Sequence, residues 1–317
     1  MRRTGGNMAL RVLITGGAGY KGIKIAEALL RRGFQVTIFD IFHFGYNQII
    51  HLVSHPNLTV VRGDIRNDMS NILSKHDIVI HLAGISGFPA CVSNPGVAMA
   101  VNVTATAEMV RAMSRDQLLL FASTTAMYEM APNIEVDESL ELSPSGMYTR
   151  TKKEAEIIIH NEHPNSISLR VATVMGLSPR MRTNLLVNDF VWRAVSDRSL
   201  VLYHATAKRT FIHIDDCVRG YLFALDHRDQ MSGGIYNLGS SDLNYSKIDI
   251  ANAIKKHVEC DVIESVLPDK DVRNFTVSFK KIRDLGFDCE ISLESTIEEL
   301  IKLYRFYRPS TDESLIF

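Results

Sequence analysis

The sequence predicts an α/β protein, a doubly wound parallel sheet with a smaller α/β part towards its C-terminal side. Three observations predict it. The apolar run Val12-Leu13-Ile14-Thr15 enters the cluster Gly16-Gly17-Ala18-Gly19-Tyr20-Lys21-Gly22, and a helix-forming run from Ile23 to Arg32 leaves it. Apolar strand-like runs and helical runs then alternate to about residue 178, as parallel strands joined by crossover helices require. Asp77 to Leu82 and Gln117 to Ala122 are almost continuously apolar, which marks strands covered on both faces.

The first of these units reads as strand, phosphate loop and helix. Gly16 allows the tight turn, Gly19 lets the backbone approach a pyrophosphate, and Gly22 lets the helix pack closely on the strand. Tyr20 and Lys21 stand where the free N–H groups of the helix would hold that anion. After Gly33 a second strand, Gln35 to Phe39, ends in Asp40. An acid about 20 residues past the loop suits the hydroxyls of an adenine ribose and repels the extra phosphate of NADP. The fold is therefore expected to be of Rossmann type, with NAD as cofactor.

Ile41 to Pro56 reads as a loop or short helix over the nucleotide edge, and Leu58 to Val61 as a strand leading to Asp64-Ile65. Asp64 suits an adenine amino group, or a helix cap near Asp68. The strand Asp77 to Leu82 runs out into Ala83-Gly84-Ile85-Ser86-Gly87, small residues beside which a ligand passes easily. Asn94 to Met113 reads as one long helix started by Asn94-Pro95. Gln117 to Ala122 is followed by the hydroxyl cluster Ser123-Thr124-Thr125, at a strand's carboxyl end, where open α/β sheets bind ligands.

Tyr148 and Lys152 open the helix that runs to about His163, four residues apart and so on one face. Free phenol and ammonium groups both titrate near pH 10. An ammonium beside the phenol favours phenolate, so the pair suits a general base near neutral pH. Ser166 to Val174 is the next strand. Helices are expected to about Ser196, from Asp215 to about His227, over Ser246 to His257 and over Ser292 to Tyr307. Short strands fall at Leu200 to Tyr203, Thr210 to Ile214, Gly233 to Gly239 and Asp261 to Val266, with a strand-to-helix segment at Phe275 to Leu285. The expected division is a dinucleotide-binding unit over 8–178 with about 208–240, a substrate-binding part over 179–207 and 241–317, and a loose leader at 1–7.

The 317 residues are 46% hydrophobic and 22% charged, with a formal net charge of -1, which gives no reason to expect a nucleic-acid or anionic-membrane partner. No apolar run reaches the roughly 18 residues of a membrane span. Cys91, Cys217, Cys260 and Cys289 lack metal-ligand spacing and read as reduced thiols of a cytoplasmic protein. His160-Asn161-Glu162-His163 offers no third ligand nearby, so no metal is expected.

On these residues the chain resembles the extended short-chain dehydrogenase/reductases, in their NAD-dependent nucleotide-sugar epimerase/dehydratase group, from about Ala9 to Phe306. The loop matches that group's Thr-Gly-Gly-x-Gly-x-x-Gly form, and Asp40 and Asp64-Ile65 match its NAD-selecting acid and adenine-edge pair. His81-Leu82-Ala83-Gly84 is similar to its His-Leu-Ala-Ala segment, and Asn102 and Thr106 fall in its Asn-x-x-Gly/Ala-Thr pattern. The resemblance implies that Leu82, Ala83, Gly84 and Asn102 contact the cofactor, that Thr124, Tyr148 and Lys152 are catalytic, and that Lys152 holds the nicotinamide ribose. It implies a nucleoside-diphosphate sugar as substrate, with Arg209, in Arg209-Thr210-Phe211-Ile212-His213, on the diphosphate. Arg180, Arg182 and Arg273 fall in stretches that line the same pocket in relatives. Ser86, Thr124, Thr125, Thr173, Asn184 and Asn188 complete the substrate candidates.

Two departures stand out: Thr173 replaces a common Asn, and Glu129 replaces a common Gly. The 4,6-dehydratases carry an Asp-Glu pair after the catalytic Thr; here Thr125-Ala126 follows, which disfavours water elimination. The resemblance therefore implies an epimerase acting at C4 through a transient 4-keto sugar. The alternatives are a 4,6-dehydratase or 4-ketoreductase and, more remotely, a non-catalytic NAD(H)-sensing protein. It also implies a homodimer built on the helices Asn94 to Met113 and Tyr148 to His163; Val101, Ala105 and Met109 lie on a helical spacing that suits it, and that packing within the chain explains as well.

Overall fold

A computed structural model describes residues 9–129, 134–267 and 273–309. The leader 1–7 and the pair Asp271-Val272 lie outside the described residues. Seven strands form one sheet, in the spatial order Ile235–Leu238, Ser166–Val171, Leu118–Thr124, Ile78–His81, Arg11–Thr15, Gln35–Asp40, Leu58–Arg62. All neighbours in it are parallel. The order reverses between Arg11–Thr15 and Ile78–His81, and the crevice at the carboxyl ends there is the binding position of such sheets.

The glycine loop lets the first helix, Tyr20–Arg31, pack hard against the strand before it. Gly16 has φ +68°, and a Cβ there would stand 2.7 Å from the Ala83 nitrogen. A Cβ on Gly22 would stand 2.5 Å from the Gly16 carbonyl oxygen, so any side chain would push the helix away. Over Gly19 the only atom such a Cβ would meet is the Gly16 oxygen, at 3.2 Å, which leaves its other side open to a ligand.

On the other side of the sheet, Ala105 and Met109 join Leu119, Phe121, Ala155 and Ile159 in one apolar cluster. That cluster seats the helix Met147–Glu162 beside the strand Leu118–Thr124. Burying Ile159 alone stabilises this seat by roughly 1.5–3 kcal/mol. Ala105 and Met109, each 1% exposed, are thus consumed within the chain, the internal packing that their spacing also allowed.

Two elements differ from the sequence pattern. The helix expected over Asn94 to Met113 starts at Pro95, with the Asn94 side chain accepting from Val97 N at 3.3 Å. Its middle, Ala100–Thr104, is a π turn, which periodicity cannot reveal because the apolar face stays continuous. The strand expected over Ser166 to Val174 divides: Ser166–Val171 stays in the sheet, while Thr173–Met175 leaves to pair in parallel with Phe211, Ile212 and His213. A second core of Phe190, Val191, Ile250, Ile254, Ile297 and Leu300 lies among the helices Leu186–Ser196, Lys247–Lys255 and Leu293–Tyr304. Ser246 and Asp249 form a capping box on the second of these, and Ser292 caps the third. No helix among the described residues is long and apolar enough to cross a membrane.

Candidate active site

A cleft of about 850 Å³ opens at the carboxyl ends of the central strands. Gly16, Gly19, Tyr20, Lys21, Gly22, Asp40, Asp64, Ile65, Leu82, Ala83 and Gly84 line it, together with Ser86, Thr124, Tyr148, Lys152, Thr173, Arg182, Asn184, Arg209 and Arg273. Three candidates stand behind the wall instead.

The cofactor half rests on the glycine loop and Asp40. The Asp40 carboxylate accepts from Ala18 N at 3.0 Å and Phe42 N at 2.8 Å, which fixes the loop to the end of the second strand. Burial pushes this carboxyl up, against those hydrogen bonds. Asp64 lines the cleft but is gripped by the Arg66 guanidinium, which holds its carboxyl below the usual range. An open face over Gly19, a ribose-ready acid and free N–H groups at a helix start together fit a dinucleotide.

Asn102, expected to touch the cofactor, does not reach the cleft. Its amide nitrogen donates to Ile85 O at 2.9 Å and Thr151 Oγ1 at 3.0 Å, and its oxygen accepts from Ile85 N at 2.8 Å. It brackets the Gly84-Ile85 wall to the Tyr148 helix, from the π turn that aims it there. His81 is likewise internal. Its ring bonds Thr15 Oγ1 at 2.7 Å and Thr106 Oγ1 at 3.0 Å, and burial lowers it to about 3, so it stays neutral.

Tyr148 sits near the start of the helix Met147–Glu162, with Lys152 one turn later. Burial pushes the phenol up; the Arg182 guanidinium, then the Thr124 hydroxyl and Arg273, pull it back. Lys152, to which the spacing gave a role on the phenol, is buried one turn along the same helix. Its Nζ lies 4.0 Å from the centroid of the Phe121 ring, and burial followed by the charge of Lys21 lowers it to about 7. Arg182 and Arg273, both from beyond the sheet, thus add their charge at Tyr148. Sequence spacing sees only neighbours on one helix and misses a partner brought by the fold.

Arg182 Nη1 donates to Ser86 Oγ at 3.0 Å, across the cleft from its own segment. Asn188 is fully buried rather than in contact with a ligand. Its side chain donates to Arg182 O at 3.0 Å and accepts from Gly176 N at 3.1 Å, so it sets the backbone that carries Arg182. Thr125 is also misplaced by the sequence reading. It is 3% exposed, with its hydroxyl 3.4 Å from Val171 O and 3.3 Å from Thr210 Oγ1, one residue too far round to face the cleft. Arg209, Arg273 and Lys247 also line the cleft. His160 and His163 bond Ser168 Oγ and Gln117 O respectively, and no group of three or more His, Cys, Asp or Glu among the described residues is placed to hold a metal.

A sequence profile of the NAD dependent epimerase/dehydratase family matches residues 12–239. The chain belongs to that family. It is 26% identical over 344 aligned residues to UDP-glucuronate 4-epimerase 4 of Arabidopsis thaliana, covering 96% of this chain and 77% of that one. It is 27% identical to UDP-glucuronate 4-epimerase 5 of the same plant, covering 96% and 78%. Among solved structures, the UDP-glucuronic acid 4-epimerase of Bacillus cereus, in complex with UDP-glucuronic acid and NAD, superposes with TM-score 0.81 at 25% identity. That match covers 93% of this chain and 99% of the other. The UDP-N-acetylglucosamine 4-epimerase of Methanobrevibacter ruminantium M1 superposes with TM-score 0.84 at 22% identity, covering 94% and 98%, a likeness of fold.

Several contacts that shape the site of this family member carry no signal in the sequence. Lys247 lines the cleft from a position that reads as an exposed helical lysine, and its Nζ donates to Tyr203 O at 2.6 Å. Tyr20 reaches Gly176 O with its hydroxyl at 2.7 Å, and Ser178 Oγ donates back to Tyr20 O at 2.7 Å. These bonds tie the segment after the sheet to the phosphate loop. Arg180 lies 4.0 Å over the Phe44 ring, spanning the cleft from the same segment. Glu129, where relatives commonly carry Gly, accepts from Gly146 N at 2.8 Å and from Ser145 and Thr149, so it seats the first turn of the Tyr148 helix.

Proposed function

We propose that this chain is an NAD-dependent nucleotide-sugar 4-epimerase whose substrate is a nucleoside-diphosphate hexuronate. The observation that carries this reading is the meeting, at one cleft, of a phosphate loop with Asp40, the Thr124/Tyr148/Lys152 set, and Arg182. Among the described residues no carboxylate pairs with Arg182, and a cation enclosed without one favours an acidic ligand. A carboxylate on the sugar carbon next to the reacting one is such a ligand. The UDP-glucuronate 4-epimerases among the relatives support the choice.

The glycine loop and Asp40 hold NAD by its diphosphate and adenine ribose, with Ile65, Leu82, Ala83 and Gly84 along it and Lys152 on the nicotinamide ribose. Bound nicotinamide supplies a reversible hydride acceptor. Tyr148, as phenolate, takes the C4 hydroxyl proton as that carbon is oxidised, and returns it after the flat keto sugar has turned over. Thr124 hydrogen-bonds the reacting oxygen, and Arg182 offsets part of the burial that raises the phenol. Arg209, Arg273 and Lys247 grip the diphosphate while Ser86, Thr173 and Asn184 border the sugar. Ala126 on the wall and Thr125 behind it leave no acid for water elimination, which disfavours a dehydratase.

The part after residue 178 carries the sugar nucleotide in this reading, and the protein is a cytoplasmic homodimer. Four unpaired cysteines suit a reducing compartment. The outward face of the two pairing helices, with Ile157 47% exposed, suits the dimer.

The test is proton NMR of the purified protein with glucuronate, glucose and N-acetylglucosamine, each carried on UDP and in turn on GDP, CDP and dTDP. The expected result is the C4 isomer of the uronate, with no net reduced cofactor at 340 nm. Turnover of the neutral sugars alone would overturn the uronate assignment, and absence of turnover across all nucleotides would overturn the epimerase.

A further inference from the structure

Glu129, the residue that departs from the common Gly, stands between the two catalytic elements and outside the residues that line the cleft. The strand Leu118–Thr124 ends in Thr124, and the short turn Thr125–Tyr128 follows it. Thr124 Oγ1 starts that turn by accepting from Ala126 N at 3.2 Å, and Glu129 N closes it by donating to Ala126 O at 3.3 Å. The helix Met147–Glu162 opens on Gly146, without a side-chain cap and without an acid in its first turn. The Glu129 carboxylate serves it from outside. Its Oε1 accepts from Gly146 N at 2.8 Å, Ser145 Oγ at 3.0 Å and Thr149 Oγ1 at 3.3 Å, and also from Ser145 N. Its Oε2 lies 3.3 Å from Thr149 Oγ1. The positive end of a helix favours a carboxylate in this place. A Cβ on Gly146 would come within 3.1 Å of Thr149 Oγ1 and 3.4 Å of Glu129 Oε2, so the seat is closely fitted. Tyr148 lies in the turn that follows Gly146, and its phenol bonds the Thr124 hydroxyl. The path from Thr124 through Ala126, Glu129 and Gly146 to Tyr148 therefore closes on itself at the two catalytic side chains.

We propose that Glu129 is a positioning residue, whose carboxylate sets the Tyr148 phenol against the Thr124 hydroxyl by joining the ends of their two elements. The inference deepens the epimerase reading made above and rests on it. Glu129 does not face the cleft, so it acts through the backbone it holds. The apolar cluster grips the body of the helix further on, through Ala155 and Ile159. Asn102 holds Thr151 at 3.0 Å, and Glu129 holds the start, at Ser145, Gly146 and Thr149. With the carboxylate gone the first turn loosens, and the phenol drifts from the hydroxyl and from the substrate carbon. A displacement of about 1 Å in a catalytic group costs up to roughly a hundredfold in rate. Contacts to substrate and cofactor elsewhere in the cleft are kept, so the loss falls on kcat and not on KM. A Gln side chain keeps an oxygen at the Oε1 position, where most of these bonds converge, and so keeps the seat.

The experiment compares wild type, Glu129→Ala and Glu129→Gln, each with bound cofactor. Steady-state rates on UDP-glucuronate are measured with an ultraviolet titration of the Tyr148 phenol, taken as the difference from the same protein carrying Tyr148→Phe. Glu129→Ala is expected to lose about tenfold or more in kcat, with KM and cofactor content held within about twofold. Loss of the Thr124 bond also moves the phenol titration, and with it the rising limb of the kcat profile, to higher pH. Glu129→Gln is expected to restore most of kcat and the wild-type titration. Circular dichroism reports that each variant is folded; should Glu129→Ala fail to fold, Glu129→Asp, one methylene too short for the seat, replaces it. Unchanged kcat in the Ala variant would overturn the proposal. A loss of kcat with the phenol titration unmoved would also overturn it, leaving Glu129 a helix cap only. Failure of wild type to turn over UDP-glucuronate or any other sugar nucleotide would instead sink the epimerase reading, while the titration still decides the placement of Tyr148.

Discussion

Two successive turns of one helix bury charge in opposite ways. At Tyr148 and Lys152 the helix faces the cleft, where Lys21, Lys152 and Arg182 lack carboxylate partners among the described residues. One turn on, Glu156 is 3% exposed and every oxygen is used. It takes Arg170 Nη2 at 2.6 Å and Arg170 Nε at 3.2 Å on one oxygen, and Ser123 Oγ at 2.6 Å on the other. Arg170 in turn donates to Tyr128 OH at 2.8 Å, and Tyr128 donates to Asn237 Oδ1 at 2.9 Å. This second set is saturated and ties the helix to three strands of the sheet and to the loop after Thr124. The first set is left open for something that binds. A buried charge paired inside the protein is architecture; a buried charge left unpaired at a cleft is a binding surface.

The largest expected effect breaks the open turn. Tyr148→Phe is expected to lower kcat by about a thousandfold, within the usual worth of a general base, while leaving the fold and bound cofactor intact. Steady-state rates with circular dichroism and cofactor absorbance check it; a variant that loses cofactor as well would make Tyr148 a structural residue. The saturated turn should fail in the other way. Glu156→Gln leaves Arg170 buried without its carboxylate and is expected to cost about 3–5 kcal/mol of stability, read by urea unfolding. A stable variant with only slower turnover would erase the contrast between the two turns.

A smaller effect comes from titration. Burial and then the charge of Lys21 lower Lys152 to about 7. The folded cofactor-free protein therefore sheds this proton at lower pH than the unfolded chain does. Between about pH 7 and pH 10 the unfolded state binds more protons, so the stability of the cofactor-free protein is expected to rise with pH across that window. A bound dinucleotide supplies the missing anion and reverses the shift. Cofactor binding at pH 8 is expected to take up close to one proton, measured by calorimetry in buffers of different ionisation enthalpy; proton release would contradict it. The smallest effect trims the saturated set without emptying it. Tyr128→Phe removes one acceptor from Arg170 and is expected to cost about 1–1.5 kcal/mol, with the pH profile of turnover unmoved.

The sequence on its own determined the sheet, the glycine loop with Asp40, and the Tyr148/Lys152 helix, because each is written in neighbours. Apolar runs of strand length, glycines at turn spacing and two residues four apart on a helix are local patterns, and the physics that makes them is local too. It did not reveal that Arg182 and Arg273 add their charge at Tyr148. Nor did it reveal that Asn102, Thr125 and Asn188 stand behind the wall, that Lys247 enters the cleft, or that Glu156 and Arg170 pair. Those facts were decided by the path of the chain after it leaves the sheet at Thr173–Met175, and by the π turn at Ala100–Thr104. A side chain's field and hydrogen-bond partners depend on which distant residues packing brings within a few ångströms, and no spacing along the chain encodes that distance.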